Sequence, residues 1–226
     1  MARTQRKQRT VNSPPSIHRE AFRRRCFQLI HTGYNRLNPA SLHDSEEPAV
    51  TGELVRFIEK AMDSPGTPEW YSQFVVRDNP VLNVPGKQGK NRPLADMEFM
   101  HTGYCPRFRY LIEAKWVGDS KTSLGAAEGY LGAEGIGCFL SQKYPTDNQQ
   151  AGMLAYVHSD DEATWVKKIQ ATIEKKKRDL KIKKSNNSVW VKDKTQEPFH
   201  AYISKHSVPA NAKIPLCITH ILLCFL

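Results

Sequence analysis

Apolar residues recur at helical spacing from residue 17 to 37, at Ala21, Phe22, Cys26, Phe27, Leu29, Ile30, Tyr34 and Leu37. This predicts an amphipathic helix with Arg23, Arg24 and Arg25 on its outer side. A polar, acidic loop follows over residues 38–48. Thr51 then suits the N-cap of a second helix over 52–63, with Leu54, Val55, Phe57, Ile58, Ala61 and Met62 as its apolar stripe and Glu53 in its first turn. Phe74-Val75-Val76 reads as a short strand. Residues 92–100 and 107–117 read as two more, joined by a turn at Thr102-Gly103-Tyr104-Cys105-Pro106. Helical spacing returns over 124–143, at Leu124, Ala127, Leu131, Ile136, Phe139 and Leu140. Glycines cost roughly 1 kcal/mol each in a helix, so Gly125, Gly129, Gly132, Gly135 and Gly137 imply a helix that crosses closely over a sheet. A compact apolar strand at 153–157 precedes a helix over 161–177, capped by Ser159 or Asp160. Two strands, 199–204 and 214–225, complete the pattern, and the last is too short to span a membrane.

The strand over 107–117 carries the chain's most suggestive polar pair. On a strand, alternate residues share a face, so Glu113 and Lys115 project side by side while Ile112, Ala114 and Trp116 point the other way. The preceding strand brings Asp96 towards Glu113 if the two are antiparallel neighbours. Carboxylates held close repel unless a cation lies between them, and hard oxygen ligands suit Mg²⁺. The plainer reading of Glu113 and Lys115 is an ion pair on a half-solvated sheet, worth a few tenths of a kcal/mol.

Composition and charge narrow the classes. The 226 residues are 39% hydrophobic and 25% charged, enough for one well-buried domain over 18–226 behind a basic, flexible arm over 1–17. The formal net charge of +10 and pI near 9.4 point to a polyanionic partner, nucleic acid above all. Candidate phosphate contacts are Arg3, Arg6, Lys7 and Arg9 in the arm, Lys87, Lys90 and Arg92 in a Gly-rich loop just before Asp96, and the run Lys175, Lys176, Lys177 and Arg178. Each has a plainer alternative: a solubilising tail, an exposed hairpin loop, and cations favoured by a helix C-terminus. The scattered cysteines form no CxxC pair, so neither a zinc knuckle nor a disulfide framework is indicated, and a reducing cytoplasm fits. The basic, polar N-terminus does not read as a signal peptide. Glu134 reads as a solvated residue, with contact to a metal ligand as the alternative. His200, Tyr202, Ser204 and His206 share a strand face, read as solvated, with an accessory site as the alternative. No HxxxH or Gly-x-Ser-x-Gly spacing indicates a zinc enzyme or a serine hydrolase.

Asp96, a strand hairpin, and then Glu113-Ala114-Lys115, set in the order helix, three strands, helix, strand, resemble the PD-(D/E)XK or restriction-endonuclease-like nucleases. One departure is that Pro93 stands three residues before Asp96 rather than next to it. The resemblance covers about half of the chain, with the core at about 52–158. It implies an α/β fold whose αβββαβ core holds a mixed central sheet flanked by helices, with an N-terminal helix and C-terminal strands added. It also implies Mg²⁺-dependent hydrolysis of phosphodiester bonds, with Mn²⁺ as a substitute ion and DNA favoured as substrate, in bacterial genome defence. Asp96, Glu113 and Lys115 would be catalytic, and Glu53, Asp96, Glu113 and the Ala114 carbonyl would hold metal. No membrane partner is implied, and a homodimer or a larger defence complex stays open. A catalytically idle nucleic-acid-binding or assembly protein on the same fold is the alternative.

Overall fold

Seven strands make one mixed open sheet in the computed structural model, which describes residues 16–103, 107–118, 126–146, 149–183, 188–193, 201–208 and 214–226. They are β1 (Phe74–Asp78), β2 (Met97–His101), β3 (Phe108–Val117), β4 (Gln150–Val157), β5 (Val191–Asp193), β6 (Ala201–His206) and β7 (Leu216–Cys224). Across the sheet the order is β1-β2-β3-β4-β7-β6-β5. The first three strands form an antiparallel meander, β4 and β7 run parallel to β3, and β6 and β5 turn back antiparallel. Helices cover both faces, which makes the chain an α/β protein.

The period-two pattern of β3 sorts the two cores. Phe108, Tyr110, Ile112 and Ala114 pack on one face with residues of α1 (Ser16–Tyr34) and α2 (Glu47–Met62). Leu111 and Val117, on the face that also carries Glu113 and Lys115, pack with residues of α3 (Ala126–Tyr130), α4 (Gly137–Leu140) and α5 (Glu162–Lys175). β3 ends at Gly118, whose φ of +92° is a left-handed conformation that glycine adopts without strain. A Cβ there would stand 2.6 Å from Ser159 Oγ, so the same glycine lets the segment after β4 close in.

Several sequence expectations change. From residue 126, where the described residues resume, the stretch expected as one helix over 124–143 is two short helices, α3 and α4, with turns between them. Its glycines allow close backbone approach within the turns that link the two helices: a Cβ on Gly135 would stand 2.2 Å from the Tyr130 carbonyl oxygen. α2 starts a turn earlier than expected, with Pro48 in its first turn, where proline's missing N–H costs nothing. Thr51 is therefore inside the helix, its hydroxyl donating to the Glu47 carbonyl and hydrogen bonded to the Tyr156 hydroxyl. Arg23 does not face outward. It is buried, donates to Thr219 Oγ1 at 2.9 Å and pairs with Asp193 at 3.1 Å. Asp161, rather than Ser159 or Asp160, caps α5 by accepting from the Thr164 N–H. Among the described residues, no helix is long and apolar enough to cross a membrane. The arm cations Arg3, Arg6, Lys7 and Arg9 lie outside the described residues, and so does His200.

Candidate functional site

The site arises where β3 outruns β2. Their antiparallel ladder ends with Met97 opposite Ile112, while β3 continues to Val117, paired only with β4 on its other side. Residues of a strand aim their N–H and C=O groups to alternate edges, so Ala114 and Trp116 present backbone groups to an edge without a neighbouring strand. Backbone groups in such surroundings need partners. Asp96, immediately before β2, accepts the Ala114 N–H at 2.7 Å. Glu47, in the first turn of α2, accepts the Trp116 N–H at 2.9 Å. Continuing the register by one residue sets Asp96 opposite Glu113, as the sequence predicts for antiparallel neighbours.

Lys115 lies among these acids. Its ammonium is 2.6 Å from Glu47, 2.9 Å from Glu113 and 3.7 Å from Asp96. It also donates to the Ala114 carbonyl at 2.7 Å. Three carboxyl groups thus face one ammonium, in a setting where the Glu113 side chain is only 5% exposed. Burial, and next the charge of Asp96, push the Glu113 pKa up to about 8, while Lys115 and the neighbouring Tyr144 hydroxyl pull the other way. Burial alone would lower the Lys115 pKa, but the charges of Glu113, Asp96 and Glu47 outweigh it and hold it above its ordinary value. Tyr144 donates to the Leu94 carbonyl, and burial together with Glu113 raises its pKa.

One direct observation bears on whether this donor set could hold a divalent cation. Glu113 Oε2 is buried and has no hydrogen-bond partner, and a buried carboxylate oxygen left in that state is costly. Asp96, Glu47 and the edge carbonyl of Ala114 are further hard oxygen donors, of the kind Mg²⁺ takes. The carboxylates of Glu47, Asp96 and Glu113 do not all close to within 4.8 Å of one another, and Lys115 stands between them.

Glu53 does not join the site, which corrects its expected role as a ligand. It pairs with Arg56 one turn on, at a side-chain exposure of 38%, an arrangement worth a few tenths of a kcal/mol. The acid that the helix does lend is Glu47. Pro48 signals only the helix start, since proline is tolerated in the first helical turn; tertiary contact with Trp116 and Lys115 aims Glu47 at the strand edge. Glu134 pairs with Lys143 and is 79% exposed, as expected of a solvated residue.

The three cations of the Gly-rich loop divide. Arg92 is tied to the Asn83 side chain at 2.9 Å and braces the loop. Lys87 and Lys90 are exposed. The loop extends the β1–β2 hairpin past its strands, through the Val81–Leu94 bridge and the Asn79 N–H to Asp96 carbonyl bond, so it rises from the end of the sheet where Asp96 lies. In the run after α5, Lys176 pairs with Glu128 and Lys177 with Glu174. Lys175 and Arg178 are exposed and make no ion pair among the described residues.

The strand face expected to be solvated is fully buried at Ser204 and His206, as is His220 on β7. The His206 Nδ1–H donates to the Leu180 carbonyl at 2.7 Å, which leaves Nε2 to accept from the Ser204 hydroxyl at 2.7 Å. Ser204 Oγ then accepts from His220 Nε2–H at 2.7 Å, and His220 Nδ1 accepts from the Tyr130 hydroxyl at 2.9 Å. One proton arrangement satisfies every group, with both rings neutral. Burial depresses the pKa of His206 to about 4 and of His220 to about 3. The alternation of Ser204 and His206 is visible in the sequence, but β7 beside them is not.

Compared with protein-family models, curated proteins and solved structures, the chain matches none.

Proposed function

We propose that the chain is a Mg²⁺-dependent nuclease that hydrolyses phosphodiester bonds, with DNA as substrate, Mn²⁺ as a substitute ion and genome defence as its setting. The order α2, β1, β2, β3, α3 with α4, β4 supports reading this part of the sheet as a restriction-endonuclease-like core. The observation that carries the proposal is the meeting of Asp96, Glu113 and Lys115 at the open edge of β3, with one buried Glu113 oxygen unsatisfied.

Asp96, Glu113 and the Ala114 carbonyl would hold the ion, with Glu47 in the place that Glu53 was expected to fill. Bound there, Mg²⁺ supplies Lewis-acid polarisation of a phosphoryl oxygen and a lowered pKa for a coordinated water. Glu113 would hold the ion as the deprotonated carboxylate, and its burial would keep that charge unscreened. Lys115, released from part of its pairing with the carboxylates, donates to the negative charge that grows on the phosphoryl oxygens. Glu47 and Asp96 keep hold of the Trp116 and Ala114 N–H groups, which fixes the strand edge during turnover. Lys87 and Lys90 stand at the same end of the sheet to meet flanking phosphates, and they would position the substrate without reading sequence.

One observation favours a catalytically idle, nucleic-acid-binding protein: Lys115 already pairs with all three carboxylates and offsets much of their repulsion. Nicking of supercoiled plasmid with Mg²⁺, alongside calorimetry of Mg²⁺ binding, separates the two. The nuclease reading expects cleavage that Asp96→Asn and Glu113→Gln abolish while both variants stay folded. Undiminished cleavage by those variants would sink it, and absence of Mg²⁺-dependent cleavage by the unaltered protein leaves the idle reading.

A further inference from the structure

We propose that His43, Asp44 and His158 form a second cation site, separate from the carboxylate site and suited to a divalent transition ion of the zinc class. Among the described residues this is the group of three His, Cys, Asp or Glu side chains whose ligand atoms all lie within 4.8 Å of one another. The His43 and His158 rings lie 3.6 Å apart, centre to centre, and His43 Nδ1 is 3.3 Å from Asp44 Oδ1. His158 Nε2 is buried and has no hydrogen-bond partner. An imidazole with an unused buried nitrogen is a ligand short of its ion, or a polar group at a standing cost.

The donor set decides the kind of ion. Two imidazoles and one carboxylate suit zinc and its neighbours, while Mg²⁺ prefers oxygen alone. Three protein ligands leave a fourth tetrahedral position for solvent. Access is not a barrier, since the His43 and Asp44 side chains are 43% and 90% exposed. The Trp116 ring, 5.0 Å from His158, walls the other side, and its indole N–H donates to the Ser45 carbonyl.

The placement gives the ion a structural task. His43 and Asp44 lie in the segment leading into α2, and His158 follows β4 with its N–H on the Val117 carbonyl at 2.8 Å. An ion held there pins the entry to α2, and so Glu47, against the end of β3 that carries Lys115. The inference does not depend on what the carboxylate site does.

The test is a Zn²⁺ titration of the Asp96→Asn/Glu113→Gln double variant, which removes two of the three competing carboxylates. One equivalent should bind, raise the thermal midpoint by mass action and, with Co²⁺ in its place, give the visible absorption of a tetrahedral ion. Adding His43→Ala or His158→Gln should remove all three signals. The exposed His43→Ala change keeps the test sound if His158→Gln folds poorly. The proposal fails if the double variant binds no Zn²⁺ saturably, or if binding survives His43→Ala.

Discussion

Glu113 and His220 lie in one row across the sheet, on the same face, with Met153 between them, yet the polar groups around them are built differently. From Tyr130 through His220, Ser204 and His206 to the Leu180 carbonyl, each donor has one acceptor and no group carries charge. Around Glu113, three carboxyl groups face one ammonium, and one buried oxygen has nothing to bind. Histidines, a serine and a tyrosine in contact look more like an active site than three acids and a lysine do. Completeness argues the reverse. The satisfied chain has nothing left to offer a ligand, whereas the group around Glu113 has an unused buried oxygen that a ligand would satisfy.

The contrast is broken most sharply by removing the ammonium. Lys115→Met keeps the packing of the stem but leaves the carboxylates unopposed. Turnover on plasmid should fall by a factor on the order of 10² or more, the scale of one lost electrostatic stabiliser, while calorimetry still detects Mg²⁺. Unchanged turnover would make Lys115 a structural ion-pair partner. Next in size is Glu47→Gln, which can still accept the Trp116 N–H but lacks the charge. Mg²⁺ affinity should drop by roughly 10- to 100-fold, as for other groups that support a metal site, whereas Glu53→Gln should leave it unchanged.

Stability should separate the two groups by pH. Ser204→Ala strands one donor and one acceptor, at about 1–3 kcal/mol for each nitrogen left without a partner, readable by urea denaturation. His206 and His220 have depressed folded pKa values, so in acid the unfolded chain takes up protons that the native rings refuse. Stability should therefore fall as pH drops from about 6.5 towards 4. Glu113 has the opposite sign. Its raised folded pKa stabilises the metal-free protein below about 4.5, and that contribution is lost as pH climbs to about 8. Glu113→Gln in a chelator should flatten the second slope and spare the first. The smallest effect is expected at the basic run after α5. Replacing Lys175 and Arg178 by Gln should flatten the log–log salt dependence of duplex binding by roughly 0.9 for each phosphate that the variant no longer neutralises. Lys176 and Lys177, already ion-paired, should contribute less.

The strand half of the site is legible in the sequence and the helical half is hidden. Asp96, Glu113 and Lys115 follow from period two and a turn, which fix both the face and the register. Glu47 is hidden because Thr51 makes a convincing cap, and only tertiary contact with Tyr156 gives its hydroxyl a better partner inside the helix. Gly132, Gly135 and Gly137 do allow close backbone approach, but to the turns that link α3 and α4 rather than to the sheet, and that partner is not a local property of the sequence. The buried serine and histidines pass for solvated residues because the strand that satisfies them, β7, comes later in the chain and its register with β6 is not a local property. Arg23 is misplaced for the same reason, since Asp193 and Thr219 are remote in sequence.

The position of β7 also bears on how the protein is made. β7 follows β5 and β6 in the chain but lies between β4 and β6, so the nascent polypeptide exposes the free hydrogen-bonding edge of β4 until β7 arrives. During that interval the apolar strand Gln150–Val157 is open to pairing with other chains. Closing the sheet then requires a slow, non-local insertion. Synthesis at low temperature, or with a chaperone that shields strand edges, should raise the soluble yield more than any change at the carboxylate site.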